Sequence, residues 1–110
     1  MSEEYEVRWS TEAIYDVADI EDYIEDEFGW ERAERFHEDI AAAGAALGTE
    51  YKMSSGIGIL YRGLVIRKRI LSPSIMFFCF DSTQKKVYVL RVLRHERNWQ
   101  KMLRDNITID

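Results

Sequence analysis

The sequence predicts an α+β domain: an N-terminal strand, an antiparallel helical hairpin, a three-stranded antiparallel meander and a short C-terminal helix. Three observations point there. An apolar period near 3.6 runs through the first half, and three short runs rich in β-branched and aromatic residues fill the second. The length of 110 residues suits one core, so residues 1–110 read as a single domain.

Tyr5-Glu6-Val7-Arg8-Trp9 alternates apolar and polar residues, the period of a half-buried strand. Ser10 or Thr11 then offers an oxygen to cap a helix, and Glu12 suits its positive end. Ile14, Val17, Ile20, Ile24 and Phe28 recur at helical spacing, with acidic residues on much of the remaining surface. Gly29 interrupts the pattern, and a second stripe follows at Ala33, Phe36, Ile40, Ala43 and Leu47. A short turn between two such helices favours an antiparallel pair. Gly44, within the small-residue run Ala41 to Ala46, allows a neighbouring element to come close. Trp9 and Trp30 read as packing residues.

Past Gly48 the signal changes. Ser54-Ser55-Gly56-Ile57-Gly58 reads as a loop, and Tyr61-Arg62-Gly63 as a turn or bulge. Leu64–Leu71, Ile75–Phe80 and Val87–Leu93 are the expected meander strands, punctuated by Pro73 and by 81–86. Arg94–Arg104 reads as the closing helix, with Trp99 anchoring it to the core. The helices are expected on one face of the sheet.

Composition excludes several classes. At 46% hydrophobic and 32% charged residues, the chain has enough apolar content to fold. Its longest purely apolar run, Ile75 to Phe80, is six residues, against the roughly 20 a membrane helix needs. Met1-Ser2-Glu3-Glu4 lacks the basic and apolar regions of a secretory signal, so a cytoplasmic location is expected. Cys79 is the sole cysteine and reads as a small buried hydrophobe. There is no Cys/His cluster, phosphate-cradling glycine loop or Ser/His/Asp arrangement, so no metal and no cofactor are expected.

The net charge of −5 conceals an asymmetry. Residues 1–50 hold sixteen acids and three bases, whereas residues 51–110 hold four acids and twelve bases. Either the halves neutralise each other within the fold, or a cationic face is kept for an acidic partner. Arg67 and Arg69 share one strand face and Lys68 takes the other. Arg91 interrupts an apolar run, so it must reach solvent or find a carboxylate. Arg94, His95 and Arg97 follow at the end of the last strand, and Lys101 and Arg104 continue beyond it. Such arginines can grip phosphates or clamp an acidic peptide. His95 can act as general acid or base in RNA cleavage, or simply hydrogen-bond at a strand end. His37 reads as a surface or boundary residue.

The segment Val89-Leu90-Arg91-Val92-Leu93-Arg94-His95-Glu96-Arg97-Asn98-Trp99, with Tyr61 to Ile66, Ile75 to Asp81 and the opening Trp9-Ser10-Thr11-Glu12-Ala13, resembles the RelE/ParE superfamily of toxins. The resemblance covers roughly residues 5–104. It implies a bacterial toxin encoded beside an antitoxin in a type II module, the kind of module linked to plasmid stabilization. RelE-like members cut mRNA on the ribosome; ParE-like members poison DNA gyrase by protein contacts. The nuclease branch places an arginine after a tyrosine in the central strand, where this chain has Ser74 and Ile75. The ParE-like reading is therefore favoured, as it is by the helical hairpin and the Arg97-Asn98-Trp99 ending.

On that reading Arg94, His95, Arg97 and Trp99 face the target, and Arg67, Arg69 and Arg91 contact the antitoxin. In the endoribonuclease alternative His95, Arg94 and Arg97 are catalytic. An inactive member that only binds its antitoxin is the remaining alternative. Expected assemblies are a homodimer or a toxin–antitoxin hetero-oligomer.

Overall fold

The computed structural model describes residues 3–95 and 98–106. Strand β1 (Glu6–Trp9) leads into helix α1 (Thr11–Phe28) and helix α2 (Trp30–Glu50). Strands β2 (Gly56–Tyr61), β3 (Leu64–Leu71), β4 (Ser74–Asp81) and β5 (Lys86–Arg94) follow, then helix α3 (Trp99–Asn106). They form one sheet in the order β1-β5-β4-β3-β2, antiparallel except for β1 beside β5.

Local chemistry explains the helix boundaries. The Ser10 hydroxyl accepts from the Ala13 N–H at 3.0 Å and donates to the Leu90 carbonyl at 2.8 Å, so the cap of α1 also moors it to β5. Gly29 ends α1 and begins α2. Its φ of +96° is a conformation L side chains avoid, and its N–H donates to the Glu25 carbonyl at 2.9 Å. The turn is thus a single residue.

Two apolar clusters sandwich the sheet. On one face Val17, Ile20 and Ile24 of α1 and Phe36, Ile40 and Leu47 of α2 meet Met76, Phe78 and Val89. On the other face Ile66, Ile75, Phe77, Cys79 and Leu93 lie beneath Leu103 and Trp99 of α3. Phe77 and Phe78 point to opposite faces and are both fully buried, each contributing about 2–3 kcal/mol by leaving water. The expectation of helices on one face is therefore corrected. With Phe77, Ile75 and Ile66 all apolar, β3 and β4 have two faces to cover, and α3 covers the second.

Other departures are local. The inward stripe of α1 is Ala13, Val17, Ile20 and Ile24; Ile14 is 55% exposed and Phe28 61%. Trp30 is 62% exposed and does not pack in the core, whereas Trp9 packs against the helix-side cluster. The meander gains β2, which starts within the segment read as a loop. Two glycines weaken its strand signal, but Ile59 is buried and Leu60↔Val65 and Tyr61↔Leu64 pair it to β3. The final helix begins at Trp99 because Arg94 still belongs to β5.

Small residues bring β1 against α2. A Cβ on Gly44 would run into the Trp9 ring, and one on Gly48 would stand 2.8 Å from the Tyr5 carbonyl oxygen. The Tyr5 N–H donates to the Gly48 carbonyl at 2.7 Å.

Candidate functional site

The basic residues of the second half separate into two groups. One lies at the end of β5. The register between β4 and β5 slips so that Phe78 opposes Val89 while Phe77 opposes Arg91, leaving Leu90 as the extra residue of a bulge. Leu90 joins the second cluster, and Arg91 turns over the strand edge toward α1. There Asp16 accepts from Arg91 Nε at 2.7 Å and Nη2 at 2.9 Å, and from the Val92 N–H at 3.0 Å. Side-chain exposure is 14% for Arg91 and 12% for Asp16. The hydrogen bond to Asp16 raises the arginine's pKa above its already high ordinary value.

Beyond Arg91, the Arg94 guanidinium lies 3.7 Å from the centroid of the Tyr23 ring on α1. His95 is exposed, and its backbone N–H donates to the Pro73 carbonyl at 2.8 Å, tying this turn to the β3–β4 turn. Trp99 is half-buried, 5.1 Å from Phe77, with Lys68 Nζ 5.2 Å from its ring centroid. It anchors α3, as its spacing suggested. Arg97 and the side chain of Arg104 lie outside the described residues.

Arg67 and Arg69 form the second group, on the face toward the C-terminal end of α2. Arg69 Nη2 lies 2.7 Å from Glu50 Oε1. Arg67 donates to the Ser54 carbonyl and stands 5.1 Å over the Phe80 ring, while its Nε is buried without an acceptor. The trio expected to act together is therefore divided, because the β5 bulge directs Arg91 to α1. Pairs such as Asp16–Arg91, Glu50–Arg69 and Glu3–Lys85 join the acidic and basic halves. Self-neutralisation is thus one real use of the charge split. It leaves Asp19, Asp22, Glu25, Glu31 and Glu34 exposed on the helical hairpin.

Sequence reasoning missed one concave surface. A groove of about 490 Å³ runs between α1, α2 and β1, lined by Trp9, Ile14, Val17, Ala18, Ile40 and Ala41. His37 and Glu21 meet at its rim, Nδ1 to Oε1 2.5 Å. The available signal was Ile14 one position off the buried stripe, together with the alanine run of α2. At the expected nuclease positions, Ser74 and Ile75 are buried at 0% and 1% exposure, and the Ser74 hydroxyl donates to the Leu71 carbonyl at 2.8 Å.

An arrangement of one helical hairpin and a closing helix on opposite faces of this sheet is the RelE/ParE toxin fold, and two solved structures share it. The chromosomal ParDE toxin–antitoxin system from P. aeruginosa aligns with a TM-score of 0.68 and 23% identity, covering 84% of this chain and 97% of that chain. The toxin–antitoxin complex RelBE2 from Mycobacterium tuberculosis aligns with a TM-score of 0.57 and 17% identity, covering 84% and 99%. No curated protein matches the sequence. The family model described as the ParE toxin of the type II toxin–antitoxin system parDE matches residues 7–99. The chain belongs to the ParE toxin family. Among the described residues no helix is long and apolar enough to cross a membrane.

Proposed function

We propose that this toxin inhibits DNA gyrase through protein contacts and is neutralised by a cognate antitoxin seated in the groove between α1, α2 and β1. The observation that carries the reading is that groove: apolar, about 490 Å³, and flanked by Ile14 at 55% exposure, in a chain whose family works with a protein inhibitor. Exposed apolar surface of this kind marks a protein partner. At the far side of the helix-bearing face, Arg67 Nε awaits an acceptor, and a carboxylate of the antitoxin supplies one. An unmade hydrogen bond there costs about 1–3 kcal/mol. Arg69 lies beside it and exchanges Glu50 for a partner acid. Arg91 is committed to Asp16 and acts by holding the β5 end in place rather than by touching the antitoxin. Arg94, His95, Arg97 and Trp99 remain the candidates for the target-facing end.

The choice of gyrase over RNA is supported by Ser74 and Ile75. Neither buried side chain can stabilise the charge that builds on a phosphate during RNA cleavage, and one such lost cation is worth on the order of 10²-fold in rate. Purified toxin is expected to block supercoiling by gyrase, and equimolar antitoxin is expected to restore it. Intact supercoiling, accompanied by ribosome-dependent mRNA cleavage that His95→Ala abolishes, would replace this reading with the endonuclease one.

A further inference from the structure

The hairpin turn between α1 and α2 exposes two large aromatics that the core does not use. Phe28 is 61% exposed and Trp30 62%, on either side of Gly29. A one-residue turn holds them in fixed relation, so little freedom is lost when a partner covers them. They are also continuous with the end of β5. The Arg94 guanidinium covers Tyr23, the Tyr23 ring meets Phe28 edge-on at 6.5 Å, and the Arg32 guanidinium lies 5.8 Å from the Phe28 centroid. Two aromatic rings bracketed by two arginines therefore run from the last strand to the tip of the hairpin. This is the composition of interface hot spots, in which Trp, Tyr and Arg dominate. Around the aromatics stand Asp26, Glu27, Glu31 and Glu34, all exposed.

We propose that Phe28 and Trp30 are the hot spot of the toxin's target-binding surface, inserting into an apolar recess rimmed by the Lys and Arg residues of a DNA-handling enzyme. Charge complementarity selects that occupant. An enzyme that grips DNA surrounds its binding surface with cations, and the carboxylates framing the aromatic pair match such a rim. A second copy of this chain meeting it hairpin to hairpin is a poorer fit, because that hairpin is acidic as well. The helix rise of 1.5 Å per residue places Phe28 about 10 Å along α1 from Glu21, the last α1 residue of the groove, so an antitoxin segment in the groove need not cover the tip. The inference rests on the toxin reading but locates the target contact independently of which enzyme is poisoned.

The test compares the parent chain with Trp30→Ala and with Phe28→Ala/Trp30→Ala, by supercoiling with purified gyrase and by growth arrest on induced expression in a bacterial host. Both positions are exposed, so circular dichroism melting should match the parent. The double variant is expected to need about 30-fold more protein for half-inhibition and to lose growth arrest at equal expression. Glu27→Lys/Glu31→Lys is expected to weaken inhibition about tenfold, and added salt to narrow that gap. Growth arrest by the double variant within about threefold of the parent would overturn the proposal. So would concentration-dependent dimerisation of the parent that the double variant loses. If the parent arrests growth while leaving gyrase untouched, the gyrase reading fails, and the growth arrest of the double variant still decides the hot spot. A parent that does neither overturns both.

Discussion

Asp16 holds Arg91 through two parallel hydrogen bonds of 2.7 and 2.9 Å and takes the Val92 N–H with the same carboxylate. One side chain on α1 therefore satisfies a guanidinium and the backbone edge of β5 beyond the end of β1, whose pairing stops at Trp9↔Val89. Removing it strands a mostly buried charge. Asp16→Ala is expected to cost about 3 kcal/mol, measured by urea unfolding. The double variant Asp16→Leu/Arg91→Met should be less destabilised than the sum of its single changes, because neither charge is then left alone. Additive losses would show that the pair is not coupled.

Gly48 illustrates a constraint of a different kind. A methyl there would stand 2.8 Å from the Tyr5 carbonyl, which is backbone and cannot swing aside, and the same glycine's carbonyl accepts from Tyr5. Alanine gains about 1 kcal/mol in helix propensity over glycine. Overpacking at such a site costs about 1–3 kcal/mol, so the clash should prevail. Gly48→Ala is expected to lower the urea midpoint, whereas a raised midpoint would mean that β1 can move away from α2 at little cost.

Much of this architecture was legible because it depends on period. The stripe Ala33, Phe36, Ile40, Ala43, Leu47 fixes the inward face of α2, and the unbroken apolar run Ile75–Phe80 marks β4, although not which cover lies on each of its faces. What escaped notice depends on contacts distant in sequence. Strand β2 has two glycines and declares itself only when paired with β3. The bulge that turns Arg91 to Asp16 has no local signature, so the apolar run around Arg91 calls for solvent or a carboxylate without telling which carboxylate supplies it. Phe28 and Ile14 keep helical spacing yet stay exposed, Phe28 at the one-residue hairpin turn and Ile14 at the mouth of the groove beside β1.

The groove makes a prediction separable from stability. Ile14 stands at its mouth at 55% exposure, outside the buried stripe of α1. Placing a charge there leaves the free toxin soundly folded but obliges an antitoxin side chain to bury against a carboxylate. Ile14→Glu is expected to keep the parental urea midpoint and to weaken antitoxin binding at least about tenfold, measured by calorimetry, since desolvating an unpaired charge costs well over 1.4 kcal/mol. Unchanged affinity would move the antitoxin site away from the groove.

Cys79 supplies a pH signature of the core. Its thiol is enclosed by the second cluster, and burial, with a smaller contribution from Asp81, pushes its pKa from the ordinary 9.0 up to about 11. The unfolded chain ionises first as pH rises, so unfolding gains free energy between pH 9 and about 11 while the native thiol stays neutral. The stabilising difference is present in full below pH 9 and is lost as pH climbs to about 11, by about 2–3 kcal/mol over the interval. Lysines and tyrosines titrate in the same range, so the comparison is with Cys79→Ala. That variant should start less stable because of the smaller side chain but decline less steeply across the interval. Alkylation supplies a second readout: iodoacetamide should label native protein slowly at pH 8 and denatured protein readily. Parallel declines of the parent and Cys79→Ala, or rapid native labelling, would show that the thiol is not held in the dry interior its position requires.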